Sequence, residues 1–166
     1  MFEIRKATLD DLSTIRSLAD IVFPHTYREI LSPEQLDYMI DWMYSDENLR
    51  RQMIAEGHLY YIAYKEGEPV GYVSIQPEGE HTFHLQKIYV LPPEQGHGLG
   101  RALFERAVAH VREAALAREI DHVREVAHVR EVAGGCVEGC VEGCVEGCGA
   151  RIELNVNRNN PSIGFY

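Results

Sequence analysis

A chain of 166 residues, 45% hydrophobic and 25% charged, has the size and make-up of one globular domain with a proper core. Sixteen Lys and Arg against 26 Asp and Glu leave a formal charge of -10, a field that repels nucleic acid and anionic membrane and attracts cations such as amines. No apolar run reaches the roughly eighteen residues of a membrane span, and MFEIRKATLDD has no apolar signal segment, so the expected location is the cytoplasm.

FEIRKA alternates as a short first strand. Thr8 and Asp11 form a capping-box pattern ahead of Leu12, Ile15, Leu18, Ala19 and Val22, whose spacing predicts a first helix. FPHTYREIL lacks that periodicity. Ser32-Pro33 then opens a second helix with Leu36, Met39, Ile40 and Met43 on its buried face, and a third begins near Ser45 with Leu49, Met53 and Ile54 inward. After Gly57 the residues become β-branched and aromatic. HLYYIAYK, the turn EGE and PVGYVSIQ read as a hairpin, and HTFHLQKIYV reads as a further antiparallel strand that LPPEQ stops. A helix is expected from Leu99, with Leu103, Phe104, Ala107, Val108 and Val111 as its apolar stripe; RIELNVN reads as a late strand, and Asn160-Pro161 starts another helix over SIGFY.

Between the helix expected from Leu99 and the strand RIELNVN the sequence turns repetitive. HVREA is followed by HVREVA twice, and CVEGCVEGCVEGC holds all four cysteines: Cys136, Cys140, Cys144 and Cys148. A six-residue period precesses about 600° around a helix, so no single face stays apolar. A glycine every fourth residue costs ~1 kcal/mol of helix stability each time. Residues of about 117–150 are therefore expected to form a low-complexity loop inserted into a single domain spanning 1–166. Evenly spaced cysteines lack the paired knuckles of zinc sites, so no metal ligands are assigned. A thiol-based metal binder remains an alternative, for which metal should survive dialysis and be lost when all four become serine.

QGHGLG places Gly96, Gly98 and Gly100 between a strand and a helix start, where outward amides and the helix dipole favour an anion. A P-loop needs Gly-Lys before Ser or Thr, and Gly100 is followed by Arg101-Ala102. A dinucleotide fingerprint needs a third glycine where Arg101 stands. Gln95, Gly98 and Gly100 instead fit Q/R-x-x-G-x-G/A. With LQKIYVLPP before it, this stretch resembles motif A of the GNAT superfamily of acetyl-CoA-dependent N-acetyltransferases, and NVNRNNPSIGFY resembles that family's motif B. The resemblance covers residues 1 to about 116 and 151–166.

The resemblance implies an α/β fold: a mixed, largely antiparallel sheet flanked by helices. Relatives carry two more strands beyond the Phe-Tyr pair, and a chain ending at Tyr166 is expected to leave an open sheet edge that invites homodimerisation. It further implies acetyl-CoA as cosubstrate and a primary amine as acceptor, on a small molecule, polyamine or peptide. Main-chain amides of Ile88, Tyr89 and Val90 would hold the pantetheine and polarise the thioester carbonyl. Those of Gln95, Gly96, His97, Gly98, Leu99, Gly100 and Arg101 would hold the pyrophosphate. Asn159 would face the coenzyme arm, and Tyr166 would protonate the departing thiolate. Many relatives carry Glu where this chain has Gln86, so His84 is the candidate base, with packed strand histidine as the plain alternative. His25, Tyr27 and Glu29 fall in the segment that forms the acceptor wall in relatives. A non-catalytic acyl-CoA-binding remnant is the rival reading.

Overall fold

The computed structural model describes residues 2–79, 82–126, 143–144 and 151–154. Strand β1 (Phe2–Lys6) leads to Thr8, whose amide donates to Asp11 Oδ2 at 2.8 Å while its hydroxyl accepts from the Asp10 amide. This capping box opens a 3₁₀ turn that runs into helix α1 (Leu12–Tyr27). The apolar spacing read from the sequence is the buried face: Leu12, Ile15, Leu18, Ala19 and Val22 are all enclosed.

The helix does not fade at Val22. It continues through Pro24 to Tyr27, although a proline inside a helix forfeits a hydrogen bond at a cost of ~3 kcal/mol. Aromatic packing offsets that cost, since Phe23 is buried with its ring 4.6 Å from Tyr27 and 6.3 Å from Tyr44. Burying one such side chain stabilises by roughly 1.5–3 kcal/mol.

Helix α2 (Pro33–Tyr44) begins with the Ser32–Gln35 capping box and buries Leu36, Ile40 and Tyr44. Ser45 caps α3 (Asp46–Ile54), which buries Leu49 and Gln52. Ile54, expected inward, is 67% exposed. Five residues past Leu49 is about 140° around the helix, away from the core face.

Strands β2 (Leu59–Lys65), β3 (Glu68–Pro77) and β4 (Thr82–Val90) pair antiparallel in sequence. The β2–β3 turn has both central residues left-handed, Glu66 at φ 53° and Gly67 at φ 89°, matching the twist of the flanking strands. Beyond β4 come β6 (Arg151–Leu154), parallel to it, and the two-residue β5 (Gly143–Cys144). The sheet order is β1-β2-β3-β4-β6-β5, mixed and mostly antiparallel as expected. A helix that continues to Val126, and β5, both fall within the stretch of about 117–150 expected as a loop. Cys136, Cys140, Cys148 and the helix expected over SIGFY lie outside the described residues.

Helices cover both faces of the sheet. Helix α4 (Leu99–Val126) lays Leu99, Leu103, Ala107 and Val111 against Val73, Ile75, Phe83 and Leu85. Helices α1 to α3 cover the other face, against Tyr60, Ile62 and Tyr72. Gly71 lets β3 and β4 come together under α4: a Cβ there would sit 2.7 Å from the Tyr89 carbonyl oxygen and 3.4 Å from Leu103.

Candidate active site

The site is built around the end of β4. Ser74 pairs with Lys87 and the next residue, Ile75, with Leu85, so Gln86 is an extra residue in β4, a β-bulge. A strict alternation would turn Ile88 away from the face that carries Leu85. The bulge reverses that parity. Leu85, Ile88 and Val90 all pack with the α4 layer, while Tyr89 packs with α1 to α3. β6 follows β4 only from Thr82 to Leu85 among the described residues, and β4 runs on to Val90.

After β4, a 3₁₀ turn at Pro92–Glu94 leads to the glycines. Gln95 Nε2 donates back to the Val90 carbonyl at 3.0 Å, tying the turn to the strand. Lys65 Nζ reaches Glu94 at 2.8 Å, joining β2 to the same turn. Gly96 and Gly98 both have φ 79°, a backbone that L-residues rarely adopt, and the space a Cβ would occupy at each is empty. These glycines therefore serve backbone shape at an open surface. The Ala102 amide already bonds the Gly98 carbonyl at 3.0 Å, so α4 starts directly from this turn. Amides in the first turn of a helix lack helical partners, an arrangement suited to an anion.

The face of β4 turned toward α1 to α3 holds a cluster that sequence reading missed. Lys87 Nζ donates to Gln52 Oε1 and to the Tyr60 hydroxyl, both at 2.6 Å. Tyr60 donates to the same Gln52 oxygen at 2.7 Å, and Gln52 Nε2 is fixed on the Met43 carbonyl at 2.9 Å. The Lys87 nitrogen lies 5.0 Å and 5.2 Å from the ring centres of Tyr44 and Tyr60. Burial lowers the Lys87 pKa to about 7, against the opposing field of Glu56.

Beside it, His58 Nδ1 sits 3.3 Å from Ser74 Oγ and Nε2 3.4 Å from Glu56. Burial first, then Lys87, pushes the His58 pKa down to about 4. Tyr44, Tyr60 and Tyr72 are all pushed well above the ordinary phenol value by burial. The only advance signal for Lys87 was a lysine within the otherwise apolar KIYV.

The expected residues fall as follows. His84 is buried on β4, opposite Gln76, with Nδ1 3.9 Å from Glu78. Tyr89 and Tyr27 meet hydroxyl to hydroxyl at 3.1 Å, so the end of α1 does reach the end of β4. His97 lies in the exposed turn, and Arg101 is paired with Glu105. Asn159 and Tyr166 lie outside the described residues.

A bulged strand running into a glycine turn and a helix start, on a mixed sheet covered by helices, defines an α/β domain. The acetyltransferase (GNAT) family model matches residues 16–133, and the chain belongs to that family. It is 24% identical over 110 residues to an uncharacterized N-acetyltransferase in the pepI 3′ region of Lactobacillus delbrueckii subsp. lactis, covering 62% of this chain and 64% of that relative's length. The chain thus spans somewhat under two thirds of that protein.

Among solved structures, the PaiA N-acetyltransferase of Thermoplasma acidophilum, in complex with coenzyme A, is similar in fold. The TM-score is 0.63 at 23% identity, over 68% of this chain and 73% of that one. An acetyltransferase from Pyrococcus furiosus matches with TM-score 0.60 at 19% identity, over 100% and 89% of the two chains. A GNAT-family acetyltransferase from Brucella melitensis, solved with acetyl-CoA, gives 0.51 at 24% identity, over 69% and 70%.

Proposed function

We propose that this protein transfers an acetyl group from acetyl-CoA to a primary amine. The observation that carries this reading is the open glycine turn at Gly96 and Gly98, set between the bulged β4 and the start of α4. Bound acetyl-CoA supplies an activated acyl group as a thioester. Amides from Gln95 to Arg101 are suited to its pyrophosphate, and those of Ile88, Tyr89 and Val90 to the pantetheine arm and the thioester carbonyl. The family likeness and the coenzyme complexes of two similar folds support this placement.

An alkyl ammonium with a pKa near ~10.4 must lose a proton before it can attack. His84 stands on β4 as a candidate to take it. Asn159 is assigned to the coenzyme arm and Tyr166 to protonation of the departing thiolate. The net charge of -10 favours cationic acceptors, polyamines among them.

Calorimetric titration of acetyl-CoA, with desulfo-CoA as comparison, tests the coenzyme site. Micromolar binding that falls at least tenfold in Gly98→Val is the expected result. A folded chain that binds neither compound overturns the reading. Binding without turnover of any amine selects the acyl-CoA-binding alternative.

A further inference from the structure

We propose that Lys87 is the base that takes the proton from the acceptor ammonium. This assignment rests on the acetyl-transfer reading above. Lys87 directly precedes Ile88, Tyr89 and Val90, whose amides that reading gives to the thioester arm, whereas His84 lies on the far side of the bulge.

The hydrogen-bonding arrangement suits a neutral amine. Gln52 Oε1 and the Tyr60 hydroxyl are two neutral acceptors, and they match the two N–H bonds of an uncharged lysine. Gln52 cannot turn its amide over without losing the Met43 carbonyl, and Tyr60 spends its own proton on Gln52. One lone pair on Nζ is left over. Lys87 is partly exposed as a residue, and its amine end lies among Gln52, Tyr60 and the ring of Tyr44.

The surrounding charges oppose one another. Glu56, the carboxylate whose field reaches Lys87, is itself engaged by Arg51 at 3.0 Å and His58 at 3.4 Å. From β2 the lysine faces Tyr60, from the residue before that strand His58, from α2 Tyr44, and from β3 Ser74 and Tyr72 beside Tyr44; His84 shares β4 and His58's surroundings. The phenols are held protonated by burial, and the ring faces of Tyr44 and Tyr60 accept the charge once it forms. Burial holds the free lysine near a pKa of about 7, ready to act at neutral pH.

The step balances without another reactant. The acceptor R–NH₃⁺ gives one proton to Nζ, and the freed amine attacks the thioester carbonyl, forming C–N as C–S breaks. The second nitrogen proton goes with the thiolate to give CoA–SH, and Lys87 returns its proton to solvent.

Two measurements on the full chain test the assignment. Trace labelling with acetic anhydride across pH, read by peptide mass spectrometry, should give Lys87 half-maximal reactivity near pH 7. Lys65, whose pKa Glu94 raises, should titrate far above it. Acetyl-CoA turnover is then followed with spermidine, a lysine-containing peptide and a free peptide N-terminus. Wild-type kcat/KM should rise with pH and level off above about 7, and Lys87→Met and Lys87→Arg should lose this break and at least tenfold in rate while binding acetyl-CoA within twofold of wild type.

Labelling of Lys87 only at the pH of an ordinary lysine overturns the assignment. So does a break that survives Lys87→Met, above all one that vanishes in His84→Gln. Wild-type protein that binds acetyl-CoA but acetylates none of these amines overturns the transferase reading, and the base with it.

Discussion

At the scale of single residues, this protein shows how burial sets proton affinity. His58 and Lys87 are both cationic types held toward their neutral forms by loss of water, and Lys87 further disfavours the charge on His58. The consequence for His58 is a stability that depends on acid. Its folded-state pKa of about 4 lies below the ordinary 6.5, so between those values the unfolded chain binds a proton that the folded chain refuses. Stability therefore falls as pH drops through that window and is fully present above it. Denaturant titrations at pH 7, 6, 5 and 4 should show this loss, and His58→Gln should make it shallower; an unchanged slope would place the acid sensitivity elsewhere.

At the scale of elements, two local irregularities position the site. The bulge at Gln86 turns Lys87 and Tyr89 toward α1 to α3 while leaving Ile88 and Val90 in the α4 layer. The absent side chain of Gly71 then allows β3, β4 and α4 to close on one another. A methyl at that position meets backbone at 2.7 Å, which cannot rotate away as a side-chain tip would. Gly71→Ala should cost ~1–3 kcal/mol of strain, lowering Tm by roughly 2–12 °C for a chain of this size. Because the Tyr89 carbonyl is the atom displaced, acetyl-CoA affinity should weaken as well; a variant with wild-type Tm and affinity would show that the strands have room to spare.

At the scale of the whole molecule, the sheet separates two jobs. Its α4 face carries the apolar core that anchors the glycine turn, and its α1-to-α3 face carries Tyr44, Tyr60, Tyr72, His58 and Lys87. No helix among the described residues is long and apolar enough to cross a membrane. The cysteine repeat enters the described sheet only through Gly143–Cys144, which pairs with β6 and not with β4. Replacing Cys136, Cys140, Cys144 and Cys148 with serine is therefore expected to leave acetyl-CoA affinity within twofold of wild type. Calorimetry on that variant, together with zinc analysis after dialysis, checks this: zinc retained by wild type and lost from the variant would support the metal-binding alternative.

The sequence alone determined the order of elements from β1 to α4, the Thr8–Asp11 capping box, the core faces of α1 and α4, and the glycine turn with its family likeness. Each of these rests on short-range rules, in which spacing along the chain maps directly onto one face or one turn. What only the tertiary structure decided was the continuation of α1 through Pro24, the outward turn of Ile54, and the cluster around Lys87. Pro24 is tolerated because Phe23 finds Tyr44, a residue on another helix. Lys87 is a base candidate because a bulge reverses strand parity and because Gln52, Tyr60 and Tyr44 arrive from three other elements. Desolvation and hydrogen-bond partnership are properties of a place in space, and no periodicity along the chain encodes them.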